Sequence, residues 1–136
     1  MKVEIFALCD AATDYQGKLN ILGTFDSIWS KQVPAVHPLC AVALRLRFQK
    51  MEEGAHIVKI SIIDGDGKEV VKPVEANVNI QFKNNPLDSL STNMILNLQG
   101  LNFQNYGEYS IDLAIDGTRE ASLPLYINQI PEQSNN

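Results

Sequence analysis

Two aspartates separated by a glycine, Asp64 and Asp66 in the stretch IIDGDGKEVV, are this chain's closest approach to a metal-binding loop. Counted as a calcium loop from Asp64, the first, third and twelfth positions hold Asp64, Asp66 and Glu75. The fifth position is Lys68, a cation where an oxygen ligand belongs, and the sixth is Glu69 where the loop's sharp turn requires glycine. A turn between strands explains the same residues, because Asp-Gly supplies the positive-φ positions that join right-twisted strands.

Imidazole and thiol chemistry rests on four residues, His37, His56, Cys9 and Cys40. No Cys-x2-Cys or His-x3-His spacing relates them, so they read as a loop histidine and two buried thiols and not as a zinc set. A Gly-x-Ser-x-Gly elbow and a glycine-rich phosphate loop are both lacking. The paired carboxylates Glu52 and Glu53 fall in a turn and read as solvated charge. No catalytic residue, metal or cofactor is assigned on these grounds.

Two surface features point to partners. If residues 41–49 and 56–64 pair as a hairpin across KMEEGA, Arg45, Arg47 and Lys59 share one outer face. Such a patch suits a carboxylate or phosphate of a partner, since guanidinium forks match those anions. The second feature is Pro124 within the last strand. Proline cannot donate to a ladder, which places that strand at a sheet edge or a bulge, with Tyr126 on the same outward side as a contact for a homodimer or another protein.

The elements that must position these residues are read from two-residue alternation. It is clearest from Val74 to Phe82, where Val74, Ala76, Val78, Ile80 and Phe82 alternate with Glu75, Asn77, Asn79 and Gln81. The same period marks 41–49, 56–64, 94–98, 109–115 and 121–127, and with 3–8 and 18–30 it gives about eight strands. No window carries a helical apolar stripe, so helices are limited to single turns in loops such as 10–17 or 86–93. Strands with one wet face bury the other by pairing sheets, so we expect an all-β, two-sheet antiparallel β-sandwich. Asn105-x-Gly107-x-Tyr109 entering an alternating strand resembles a tyrosine corner, which makes the sandwich immunoglobulin-like. Ile111 stands where an antibody domain has its second cysteine.

Composition sets outer limits. The 136 residues, 15.1 kDa, suit one domain over 1–130 with a polar tail at 131–136. Hydrophobic residues make up 45% and charged residues 20%, near the globular average. A net charge of -5 opposes broad attraction to nucleic acid or anionic lipid, and no apolar run is long enough to span a membrane. Glu4 interrupts the apolar start and Leu8 precedes Cys9, contrary to a lipoprotein signal, so a cytoplasmic location with reduced thiols is expected.

The segments LCDAA, GKLNILGTFD, HPLCAVALRLRF and YGEYSIDLAIDG together resemble a family of small bacterial proteins known only as a domain of unknown function. That resemblance implies a fold and brings no catalytic residue, ligand or partner. The functional expectation is a cytoplasmic, non-enzymatic protein-interaction module that presents loops or an edge strand, self-association included. The alternative is a small-molecule-binding, carbohydrate-binding or hydrolytic domain with its site at one end of the sandwich.

Overall fold

A computed structural model describes residues 1–132; the expected polar tail lies outside the described residues from position 133 onward. Nine strands run in order among them: β1 (Lys2–Tyr15), β2 (Lys18–Thr24), β3 (Ser27–Ser30), β4 (Ala35–Gln49), β5 (Gly54–Ile63), β6 (Val74–Ile80), β7 (Ser89–Phe103), β8 (Gly107–Ile115) and β9 (Thr118–Gln129). One 3-10 turn, Lys50–Glu52, links β4 to β5. The strands form a four-stranded sheet in the order β2-β1-β4-β7 and a five-stranded sheet in the order β3-β9-β8-β5-β6. The fold is all-β, and every pairing is antiparallel except that of β3 with β9.

Alternation along the strands builds the core between the sheets. Val42, Leu44, Leu46 and Phe48 of β4 meet Val58, Ile60 and Ile62 of β5, Ile111 and Leu113 of β8, and Leu125 and Ile127 of β9. All of these side chains are buried. At about 25 cal/mol per Å² of apolar surface removed from water, this shared face is the dominant stabilising element.

Several expected elements have different bounds; the expected strand 94–98 extends over Ser89–Phe103, taking in most of the expected loop 86–93. Residues 18–30 are two strands, because at Phe25 and Asp26 the chain leaves one sheet and enters the other. Residues 10–15 continue β1 and make no helical turn; Gln16 and Gly17, both at positive φ (53° and 77°), close a two-residue hairpin with β2. This β1–β2 ribbon curls over the outer face of its own sheet. Beneath it Cys9, Ala41 and Ala43 are fully buried, with Ala12, Leu19, Ile21 and Ile95 packed around them. Small side chains permit that close approach, and the tip is fastened where Asn93 Nδ2 donates to Gly17 O at 3.1 Å. At the opposite crossing, Tyr109 enters β8 buried and donates its hydroxyl to Asn105 O at 2.7 Å, with its ring edge-on to Phe103.

Candidate functional site

Sheet edges are where this fold leaves backbone groups open. β9 is flanked by β8 from Thr118 to Ile127 but by β3 only from Tyr126 to Gln129, so its first part, Thr118 to Leu125, is open on that side. The Tyr126 amide donates to Asp26 O at 2.8 Å, and two-residue alternation directs the ring nitrogen of Pro124 the same way. Pro124 therefore removes a donor from the open stretch and none from the ladder with β8. Tyr126 does not lie on a free edge as expected, because β3 is laid beside it when the chain crosses between sheets. Its ring remains partly exposed, next to the exposed Trp29 strand.

Between this stretch of β9 and the start of β1 lies a cleft of about 410 Å³ lined by Phe6, Leu8, Phe25, Leu123 and Pro124. Asp26 and Thr24 supply its polar side chains, and neither histidine lines it. The convergent polar groups that orient a substrate are not assembled there.

β7 presents the opposite situation. It is the outer strand of its sheet, 15 residues long, and among the described residues it pairs only with β4. Asp88 O accepts from the Lys50 amide at 3.1 Å, which continues the ladder and fixes its phase. Leu90, Thr92, Met94, Leu96 and Leu98 therefore direct their backbone groups at β4. Ser91, Asn93, Ile95, Asn97 and Gln99 direct theirs outward, where they meet no partner among the described residues. No charged residue occurs from Ser89 to Gly107, and no proline. Two-residue alternation marks here only the short stripe Met94, Leu96 and Leu98. The legible signal was the charge-free run bounded by Asp88 and Glu108.

The titratable groups are tied into structure. His56 Nδ1 lies 2.6 Å from Asp116 Oδ2 and its Nε2 lies 2.6 Å from Glu52 O. Both neighbours are acceptors, an arrangement that favours the protonated ring, which can donate from both nitrogens. The hydrogen bond that His56 donates to Asp116 raises the His56 pKa above its ordinary value, helped by the Glu52 carbonyl and by the carboxylates of Asp116 and Glu52; partial burial opposes it. Asp116 is held below the usual carboxylate range by the same bond and by the Ile57 amide. Held at both nitrogens, the ring braces the β4–β5 turn against the β8–β9 turn. Nor are Glu52 and Glu53 merely solvated: Glu52 accepts from the Gln49 amide and the Met1 ammonium, and Glu53 accepts from the Phe82 amide. Asp64 is likewise engaged by its own turn, accepting from the Asp66 and Lys68 amides at 2.9 Å.

The expected common face of Arg45, Arg47 and Lys59 does not form. β4 and β5 belong to different sheets, the 3-10 turn carrying the chain across, so the two arginines and Lys59 lie on opposite outer surfaces. Glu4, at the irregularity in β1, faces both arginines, at 3.3 Å from Arg45 Nε and 3.1 Å from Arg47 Nε. Asn93 Oδ1 accepts from Arg45 Nη1 and Ser89 Oγ from Arg47 Nη1, and Arg47 above all holds Glu4 below its ordinary pKa. Lys59 sits opposite Glu75. Burial raises both thiols, Cys40 to about 11, so neither is a ready nucleophile. Among the described residues no three His, Cys, Asp or Glu side chains gather to hold a metal ion, and no helix is long and apolar enough to cross a membrane.

A protein-family model described as a family of unknown function (DUF6941) matches residues 4–128. No curated protein matches the chain.

Proposed function

Because the chain belongs to that family of unknown function, its role must be read from its surfaces, and we propose that it is a non-catalytic protein-interaction module that takes its partner along the free edge of β7. The single observation that carries this reading is a 15-residue outer strand without charge or proline, its outward amides and carbonyls unpaired. Strand addition uses such an edge: main-chain hydrogen bonds supply affinity and alternate side chains supply selectivity. Folded proteins ordinarily blunt exposed edges with charge, proline or bulges, so a bare one of this length has a use.

Other features support the surrounding description. The order β1-β4-β7 against β6-β5-β8-β9, with Tyr109 entering β8, corresponds to the strand order of an immunoglobulin-like sandwich, and the β1–β2 ribbon is an addition to that plan. Two buried, unpaired thiols suit the reducing cytoplasm.

The test is affinity capture from native extract with three baits: wild type, Asn97→Pro in β7 and Asn77→Pro in β6. Each proline removes an outward amide and no ladder bond. A partner retained by wild type and Asn77→Pro but lost with Asn97→Pro is expected; equal capture by all three baits refutes the β7 edge as the binding element.

A further inference from the structure

Resting on the reading of β7 as an interaction edge, we infer that the occupant of that edge is a second copy of this chain, paired antiparallel across a two-fold axis at Ile95. The chain carries a net charge of -5, so copies repel one another over most of their surface, and self-pairing needs a contact free of charge. The strand from Ser89 to Phe103 is such a contact. A two-fold contact must also be self-complementary, residue by residue. With Ile95 opposite its own copy, Asn93 faces Asn97 and Ser91 faces Gln99, and these are the residues whose backbone groups point outward.

The same register settles the apolar side. Met94 and Leu96 pack against the core yet stay partly exposed at the open edge. Under this pairing Met94 of one protomer lies directly across from Leu96 of the other, twice over, so each covers what the other leaves exposed. Thr92 meets Leu98 in the next pair outward. The two four-stranded sheets then become one sheet of eight, and β7 ceases to be an edge.

The edges of β6, β9 and β2 do not offer this. β6 is seven residues long and carries Glu75, which opposes its own carboxylate or sits unpaired in most self-registers. The open part of β9 carries Pro124 together with Arg119 and Glu120. β2 begins with Lys18 and is one arm of the ribbon folded back on its own sheet.

Sedimentation equilibrium of the full chain from micromolar to millimolar concentration tests the inference. Wild type is expected to double in mass across that range, while Asn97→Pro and Asn97→Lys stay monomeric; Asn97 is exposed, so the lysine variant keeps its fold even if the proline variant does not. Register is read from cysteine variants. Ser91→Cys and Gln99→Cys are expected to form a disulfide-linked dimer when mixed and none when kept apart, because a hydrogen-bonded antiparallel pair places Cα atoms about 5.5 Å apart, within disulfide reach. A wild type that remains monomeric at millimolar concentration overturns the inference, as does a dimer that survives both Asn97 variants or a cross-link formed by either cysteine variant alone. A monomer whose captured partner is still lost with Asn97→Pro overturns only the identity of the occupant and leaves β7 as the interaction edge.

Discussion

β9 and β7 are long strands of opposite sheets, and each leaves one side open, but they are guarded very differently. The open stretch of β9 carries charge, places the missing amide of Pro124 on its open side, and ends where β3 is laid alongside at Tyr126. β7 has none of these devices over a longer run. A visible edge marker and a usable edge are therefore separate things: proline marks β9 because that edge is defended, and the edge available for pairing is the one with nothing to mark it. The outer faces differ in the same sense. The four-stranded sheet covers part of its own face with the β1–β2 ribbon, leaving its edge as the open feature, whereas the five-stranded sheet shows a polar face on which Ser110, Ser122 and Asp112 bond to one another.

The sharpest way to break this comparison is to reverse the phase of β7. If even-numbered residues bond to β4, Leu98→Pro removes a ladder bond and a buried side chain, and we expect it to cost roughly 3 kcal/mol or more. Gln99→Pro, one residue on, removes only an outward amide and is expected to cost less than about 1 kcal/mol. Urea denaturation of the two variants decides the matter. Equal losses would mean that the outward set has been misassigned.

A smaller effect is expected where the two sheets are joined at the end of β7. Tyr109→Phe deletes the hydroxyl donor to Asn105 O and leaves that carbonyl without its partner, at a cost of about 1 to 2 kcal/mol. An unchanged denaturation midpoint would show that the turn after β7 is held by packing against Phe103 alone.

The five-stranded sheet also carries a titratable brace, which the β7 edge lacks. The folded pKa of His56 is raised, so its contribution to stability is complete below the ordinary imidazole value near 6.5 and is lost as pH rises through the folded value. Asp116 is lowered, so its contribution holds above the ordinary carboxylate range and is lost as pH falls through its folded value. Stability should therefore peak between these limits. Asp116 is half exposed, which keeps the effect to about 1 kcal/mol or less. His56→Gln is expected to flatten the alkaline limb of the midpoint-versus-pH curve; a limb of unchanged slope would assign that pH dependence elsewhere.

The smallest effect is expected at Tyr126. Its backbone is already paired to the β3 side, so Tyr126→Lys should leave the sedimentation profile unchanged and move stability by no more than about 0.5 kcal/mol. Loss of association in this variant would return the interface to β9 and undo the contrast between the two strands.

Much of the architecture was legible in the residues. Alternation at Val42, Leu44, Leu46 and Phe48, or at Ile111, Leu113 and Ile115, assigns each side chain to core or surface from its immediate neighbours, and the same is true of the hydrogen-bonded corner at Tyr109. The turn at Asp64 could also be read, because a carboxylate bonding amides two and four residues on is a local event. Arg45, Arg47 and Lys59 show where such reading stops. Each was correctly placed outward, but the short link KMEEGA serves equally as a hairpin within a sheet or as a bridge between sheets, and their common face depended on that choice. Glu4 as partner of both arginines, and Asp116 as partner of His56, lay beyond the same limit.

By itself, then, the sequence determined an all-β chain, which side of most strands faces inward, and the local turns and corner, because side-chain alternation and turn geometry depend on residues a few positions apart. Tertiary structure alone decided which strand neighbours which: that Tyr126 is covered, that the arginines and Lys59 are separated, and that β7 is left open. An edge is not a property of a strand's own residues. It is the lack of a neighbour, and the neighbour is chosen by the burial of all the strands at once around a single core.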